Sequence, residues 1–186
     1  SINRVCFYHL VPSGRGSAIK NQMMSDGQAR EFVEQLVDYT LALKQRGISK
    51  EILTVTNHVD GPYIYMLAKE KAPQLAEGVL EKLQNNRGNR SGIAIMNMDW
   101  LGNVYPDQFS KFMCLGNIRS ESLSDIWIKG TKELNALRDK REHLNDQCKA
   151  CKWLEICGGN LRARAYLTTG DLWGMDPGCY LEEIER

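Results

Sequence analysis

The hydrophobic positions of this chain follow two different periods, and the places where the period changes divide it into elements. "RVCFYHLV" (4–11) is a short β-branched and aromatic run closed by the turn-forming "PSGRG" at 12–16, which predicts a buried strand. From Ser25 the apolar residues fall at helical spacing, at Ala29, Phe32, Val33, Leu36, Val37 and Leu41. Ser25 with Gln28 three residues on predicts a capping box, and Gly47 predicts the end of that helix. "ILTVT" (52–56) is the next strand and runs into "NHVDGP" at 57–62. "YIYMLAKEK" then reads as helical as far as Pro73, with another helix over 74–85. Strand, helix, strand, helix at these lengths predicts an α/β arrangement with parallel strands.

The pattern changes in the polar "QNNRGNRSG" at 84–92, which sets a boundary between regions 1–90 and 91–186. "GIAIMNMDWLGNVYPDQF" (92–109) carries two strand-like runs around "DWLG", a hairpin signature. "SLSDIWIKG" and "TKELNALRDKREHL" predict short helices ahead of a cysteine-rich segment. The mixed-charge "RDKREHLND" (138–146) reads as a solvated helix end, and His143 within it as a surface residue. Trp100, Trp127, Trp153 and Trp173 read as core residues. No internal repeat is present.

Composition narrows the function classes. The 186 residues are 42% hydrophobic and 25% charged, with a formal net charge of +1, so the long-range field of a nucleic-acid binder or a polybasic membrane anchor is missing. No apolar run approaches the roughly 18 residues of a membrane span, and no signal peptide is recognisable. The chain opens "SINRVCFYHLV", without methionine and directly into a strand that needs neighbours or a protected edge. It therefore reads as part of a longer protein missing its N-terminal portion, a processed or tag-cleaved whole chain being the alternative.

Six cysteines are present: Cys6, Cys114, Cys148, Cys151, Cys157 and Cys179. An even count suits a disulfide framework, but that belongs to short secreted chains, and here four of the six crowd toward the C-terminal end. Clustered thiols in a chain of cytoplasmic character point to a metal site. Two residues separate Cys148 from Cys151, five separate Cys151 from Cys157, and 21 separate Cys157 from Cys179. A CxxC turn places both sulfurs on one side, and an all-sulfur set suits zinc or an iron–sulfur cluster. Structural zinc ribbons show two CxxC knuckles, whereas this chain has one. The "GGN" after Cys157 allows close backbone approach and offers amide donors to sulfide, with the cations Arg162 and Arg164 nearby. These features lean to a [4Fe-4S] cluster and leave zinc open.

The spacing Cx2Cx5C followed by Cys179 resembles the SPASM extension of radical S-adenosylmethionine (radical SAM) enzymes, and "GNVYPDQ" and "LGNIRSESLSDIW" resemble its leading hairpin and helix. "YHLVPSGRG" and "TNHVDGP" are similar to late barrel strands of the heme-biosynthesis branch of that family. The resemblance covers essentially the whole chain. It implies the C-terminal units of a partial (β/α) radical SAM barrel over 1–90, followed by a small α+β SPASM-like domain over 91–186. It implies Cys148, Cys151, Cys157 and Cys179 as ligands of an auxiliary [4Fe-4S] cluster, with Cys114 as the alternative fourth ligand. Two positions depart from the family pattern: Leu161 and Asp107 stand where cysteines of a further auxiliary cluster are expected. The CxxxCxxC motif of the cluster that cleaves S-adenosylmethionine does not occur in these residues, so that cluster and S-adenosylmethionine are expected only in the full-length protein.

Other candidates lie in the first region. Arg15, at a strand-end loop, suits a carboxylate of a substrate or of S-adenosylmethionine, or is a plain surface residue. His9 shares a strand face with Phe7 and Val11, either as a substrate or metal contact or as a satisfied core histidine. His58 and Asp60 stand at the C-terminal end of a strand, where parallel barrels keep their chemistry. The competing reading is a helix-start turn, with Asp60 capping and Pro62 in the first turn.

The resemblance implies an enzyme removing acetate groups from didecarboxysiroheme to give iron-coproporphyrin III. Its partners would be the iron tetrapyrrole and an electron donor such as ferredoxin or flavodoxin, with no nucleic acid and no membrane. Alternatives are a branch member acting on a related iron tetrapyrrole by decarboxylation or on the route to dioxoheme, a SPASM peptide maturase, and a non-catalytic zinc module.

Overall fold

The computed structural model describes residues 2–186. Strand β1, Arg4–Tyr8, pairs in parallel with β2, Glu51–Val55, in a register that sets Arg4 opposite Glu51 and Tyr8 opposite Val55. Parallel pairing needs a long crossover, and helix α1, Asp26–Gln45, supplies it, starting on the expected Ser25–Gln28 capping box. Side chains alternate as a strand requires. Phe7 meets Phe32 of α1 edge-on at 5.5 Å, while Cys6 and Tyr8 are exposed on the other face.

β1 ends three residues sooner than its apolar run because its partner turns away. His9 N still donates to Val55 O at 3.1 Å, but the next residue of β2, Thr56, adopts φ +70° and breaks the ladder. The chain beyond β1 instead forms a 3-10 stretch, Gly14–Gln22, where the sequence predicts only a turn. Helices α2, Asp60–Lys71, and α3, Pro73–Asn86, follow, with Pro73 in the first turn of α3.

The second region begins with a three-stranded antiparallel sheet in the order β3 (Asn97–Met98), β4 (Asn103–Tyr105), β5 (Gly116–Asn117). Asp99 holds the β3–β4 turn by accepting from the amides of Leu101 and Asn103 at 2.9 and 3.0 Å. The predicted helices appear as α4, Leu123–Lys129, α5, Lys132–Arg138, and α6, Lys140–His143, the last two separated at Asp139. The cysteine segment is built from α7, Asp146–Ala150, and α8, Leu154–Cys157, before α9, Arg162–Thr169.

The two regions share a core. Val33, Val59, Tyr63 and Leu67 bury against Tyr180 and Leu181 from the far end of the chain, with Trp153 and Cys179 packed beside them. The same end is fastened by a two-pronged ion pair, Arg30 to Glu185 at 2.8 Å on each prong, and by Trp153 Nε1 donating to Glu185 O at 2.6 Å. The second half of the polar 84–92 segment is packed inward, with Gly88, Asn89, Ser91 and Gly92 buried, while residues 84–87 are exposed. Gly88 has φ +60°, and a Cβ there would lie 2.3 Å from the Cys157 carbonyl, so only glycine permits this approach.

One surface expectation is corrected in part, since Asp139, Arg141, Glu142, His143 and Asp146 are exposed as expected, and one core expectation is overturned. Within 138–146, Lys140 is largely buried and donates to Asn89 O, Arg138 donates to Trp127 O at 2.7 Å, and Leu144 is buried. Burial lowers the Lys140 ammonium to about 8. Trp100 is 79% exposed beside the β3–β4 turn rather than in the core. Trp127 and Trp173 do pack against the Val104–Leu134 cluster, and exposed His143 lies against Trp173 with ring centroids 4.9 Å apart.

Candidate functional site

Local chain geometry brings the cysteines together. Asn145 caps α7 by accepting from Cys148 N at 3.0 Å, and its side-chain amide lies 3.4 Å from Cys148 Sγ as donor. Cys151 closes that short helix, its amide donating to Cys148 O at 3.2 Å. After Cys157 three consecutive residues, Gly158, Gly159 and Asn160, take positive φ values of 62°, 76° and 56°. This reversal lets the Asn160 amide donate to Cys157 O at 3.1 Å, and the Gly159 and Asn160 amides favour the Cys157 thiolate as the Leu181 amide favours that of Cys179. Such concave runs of N–H groups suit anions.

Cys148, Cys151, Cys157 and Cys179 all line one small cavity, walled by Val59, Trp153, Leu154 and Leu181. Burial raises the Cys157 thiol to about 11, with the neighbouring sulfurs of Cys151 and Cys179 adding to the rise and the two amides opposing it. Burial likewise raises Cys179. Thiols so placed become thiolates only if a cation joins them. Among the described residues no three Cys, His, Asp or Glu side chains converge as around a single ion. The four thiols line a cavity of about 30 Å³, and a donor set of four sulfurs suits zinc or an iron–sulfur cluster. Cys114 is elsewhere: exposed, it lines a different cavity with Phe112 and Tyr166.

Arg162 completes this cavity. It is 2% exposed, and its Nη1 donates to the carbonyls of Leu172 and Gly174 at 3.1 and 2.7 Å. Its Nε and Nη2 have no hydrogen-bond partner among the described residues.

A second, larger cavity of about 350 Å³ adjoins the first and is lined by residues that include Tyr8, His9, Met23, Phe32, Arg164 and Tyr180. Behind it lies a buried polar cluster. Asp60, 1% exposed, accepts from His9 Nε2 at 2.9 Å, Tyr180 Oη at 2.7 Å and Asn57 Nδ2 at 3.1 Å. Its carboxylate therefore does not cap α2, whose N-terminus has no side-chain cap. Burial, with Asp60 beside it, holds the Tyr180 hydroxyl far above its ordinary range. Thr56 is strained: a buried β-branched residue at φ +70°, it is held by its hydroxyl donating to His9 O at 2.7 Å.

The wall between the cavities is an ion pair. Arg164 donates from Nε and Nη2 to the two oxygens of Asp176 at 2.7 and 3.0 Å, both side chains being buried. The same guanidinium reaches Thr56 O and Asn57 Oδ1 at 3.1 and 2.8 Å. Gly178 makes room for it, since a Cβ there would sit 2.2 Å from Nη2. Asp176 faces the cysteine cavity, Arg164 the larger one, and Cys179 sits between Gly178 and Tyr180, which both line the larger one.

Of the candidates read from sequence, His9 and Asp60 are brought together and His9 lines the larger cavity, while His58 contributes its backbone, donating to Asn160 Oδ1 at 2.8 Å. Arg15 is exposed in the 3-10 stretch and lines neither cavity. Tyr180 and Asp176 carried no sequence signal, because the groups they bond, Asp60 and Arg164, lie 120 and 12 positions away.

Burial, reinforced by the Lys140 and Arg164 cations, lowers the His58 imidazole to about 4, against about 6.5 when unfolded. Between those values the unfolded chain binds more protons, so stability is full above about pH 6.5 and is lost as pH falls toward 4. His58→Gln is expected to remove roughly 2 kcal/mol of the stability lost between pH 7 and pH 5. Urea midpoints at the two pH values check this; equal losses in both proteins would contradict it.

Residues 92–152 match SPASM, an iron–sulfur cluster-binding domain, and that segment contains Cys148 and Cys151. The chain thus carries a segment that matches this iron–sulfur domain, and the curated proteins it resembles are the following. Over 188 aligned residues, 99% of this chain, it is 43% identical to the Fe-coproporphyrin III synthase of Methanosarcina barkeri, and it covers 47% of that protein. It is 32% identical to the pre-heme d1 synthase of Dinoroseobacter shibae over 99% of this chain and 46% of that protein. The chain spans about half the length of the curated relatives it matches. Two solved structures of anSMEcpe with bound AdoMet share the fold, with TM-scores of 0.53 and 0.54 over 86% and 92% of this chain and 38% and 41% of theirs, at 19% and 17% identity. Among the described residues no helix is long and apolar enough to cross a membrane.

Proposed function

We propose that Cys148, Cys151, Cys157 and Cys179 ligate one auxiliary [4Fe-4S] cluster, and that the chain forms the auxiliary-cluster portion of a radical SAM enzyme that removes acetate side chains from didecarboxysiroheme. The observation that carries this reading is the shared wall: the four thiols line one cavity, and the Arg164–Asp176 pair divides it from the larger, His9-lined one. When bound, the cluster supplies one-electron transfer next to the substrate space.

The rest is done by side chains of this chain. β1 and β2 are read as late strands of a (β/α) barrel, and the larger cavity opens at their C-terminal ends, where such barrels bind substrate. Tyr8, Met23 and Phe32 offer apolar contact to a macrocycle. His9 donates through Nε2 to Asp60, which fixes the ring and leaves Nδ1 free to accept a hydrogen bond from a substrate carboxylic acid or hold its proton. Asp60, held by three donors, orients that histidine rather than meeting substrate itself. Region 91–186 is read as the cluster domain, the cell compartment as the cytoplasm, and an external low-potential protein as the source of electrons.

The assay is single turnover of the full-length protein under anaerobic conditions with didecarboxysiroheme and S-adenosylmethionine. Mass spectrometry is expected to show loss of two acetate groups, and His9→Ala to slow that loss by roughly 10²-fold or more, as for loss of a positioned acid or base. An unchanged tetrapyrrole with the intact, fully loaded protein would contradict the proposed reaction. The higher identity to the Fe-coproporphyrin III synthase favours this product over that of the pre-heme d1 synthase relative.

A further inference from the structure

Three buried side-chain polar atoms lack a partner among the described residues, and two of them belong to one guanidinium, that of Arg162. An arginine with 2% exposure and unpartnered N–H groups is costly, because a buried cation and each idle donor forfeit their hydration. The cost is bearable if an anion meets those groups. No carboxylate does: Asp176 is taken up by Arg164 and by the amides of Leu161 and Gly178. Nη1 alone is satisfied, by two carbonyls of the 172–174 turn that hold the side chain in place. Arg162 lines the cysteine cavity, and the sulfurs of Cys148 and Cys157 are close enough to act on its charge.

Resting on the ligand assignment above, we propose that Arg162 donates from Nε and Nη2 to the sulfur atoms of the bound cluster and raises its reduction potential. The physical reason is charge. A [4Fe-4S] core with four thiolates is a dianion when oxidised and a trianion when reduced, so an adjacent fixed cation with two N–H donors stabilises the reduced form more. Arg162 is a tuning residue in this scheme, and Arg164, spent on Asp176, does not share the task.

The experiment is an EPR-monitored redox titration of the auxiliary cluster in the full-length protein, with the parent, Arg162→Lys, Arg162→Gln and the exposed control Arg141→Gln. Iron and sulfide content are measured on each. Arg162→Gln is expected to shift the midpoint to more negative potential, Arg162→Lys to shift it less, and Arg141→Gln to leave it in place. Loaded Gln and Lys variants with the parent's midpoint would overturn the role of Arg162 while leaving the ligand assignment intact. Should the Gln variant not load, the Lys variant decides alone: an unshifted midpoint with an unchanged EPR line shape overturns the inference, and a negative shift supports it. A parent protein without cluster iron at these cysteines would instead overturn the reading on which the inference rests.

Discussion

Cys179→Ala is expected to lose the auxiliary cluster, while Cys114→Ala keeps it. Both cysteines are plausible fourth ligands on chemistry alone, and position separates them. Cys179 lies in the cavity formed with Cys148, Cys151 and Cys157, packs against the shared core, and has its thiolate favoured by the Leu181 amide. Cys114 is exposed, and its thiol lies 3.5 Å from Gly116 O. Changing a group that merely supports a metal ligand costs 10–100-fold in affinity, so removal of a ligand is expected to cost more than ~100-fold. Iron and acid-labile sulfide on anaerobically isolated protein, with the charge-transfer absorption of the cluster, are the readout. Full iron in Cys179→Ala together with loss in Cys114→Ala would reverse the assignment.

Arg164→Met is expected to be the most destabilising substitution outside the hydrophobic core, at about 3–5 kcal/mol. The pair it breaks is buried on both sides and two-pronged, and the same guanidinium also satisfies Thr56 O and Asn57 Oδ1. Its removal strands the Asp176 carboxylate with only the amides of Leu161 and Gly178. Lysine does not rescue, since a point charge cannot reproduce the fork. Adding Asp176→Leu is expected to recover only part of the loss, because those two amides then lose their acceptor. Urea denaturation monitored by tryptophan fluorescence measures these differences; a cost below 1 kcal/mol for Arg164→Met would mean that the pair is not needed for the fold.

What could be read ahead of the structure was local. The Ser25–Gln28 cap, the β1–α1–β2 alternation and the CxxC turn each depend on residues within a few positions of one another. The surroundings of the site are not local: His9, Asp60 and Tyr180 come from three distant parts of the chain, and Asn57 lies 107 positions from the Arg164 it meets. Lone polar residues of this kind have no period to betray them. β5 is two residues long, too short to show alternation. The mixed-charge 138–146 segment misled for a related reason: charge suggests water, but Lys140 runs inward to Asn89 and leaves its neighbours outside. "GGN" was informative because a glycine pair ahead of a polar residue already implies a backbone reversal, and the three positive φ values realise it. Leu161, where a cysteine was expected, packs with Val11 and Ala163 against Phe109, so apolar contact occupies that point. Asp107 turns its carboxylate to the amides of Phe109 and Ser110 at 2.8 Å.

The central claim is that one iron–sulfur body sits among four particular sulfurs. Anomalous diffraction at the iron absorption edge, from crystals grown anaerobically, tests it with least inference. A single strong iron peak enclosed by the sulfurs of Cys148, Cys151, Cys157 and Cys179, with Arg162 at its edge, is the predicted result. A peak at Cys114, or a zinc edge signal in place of iron between the four, would contradict it.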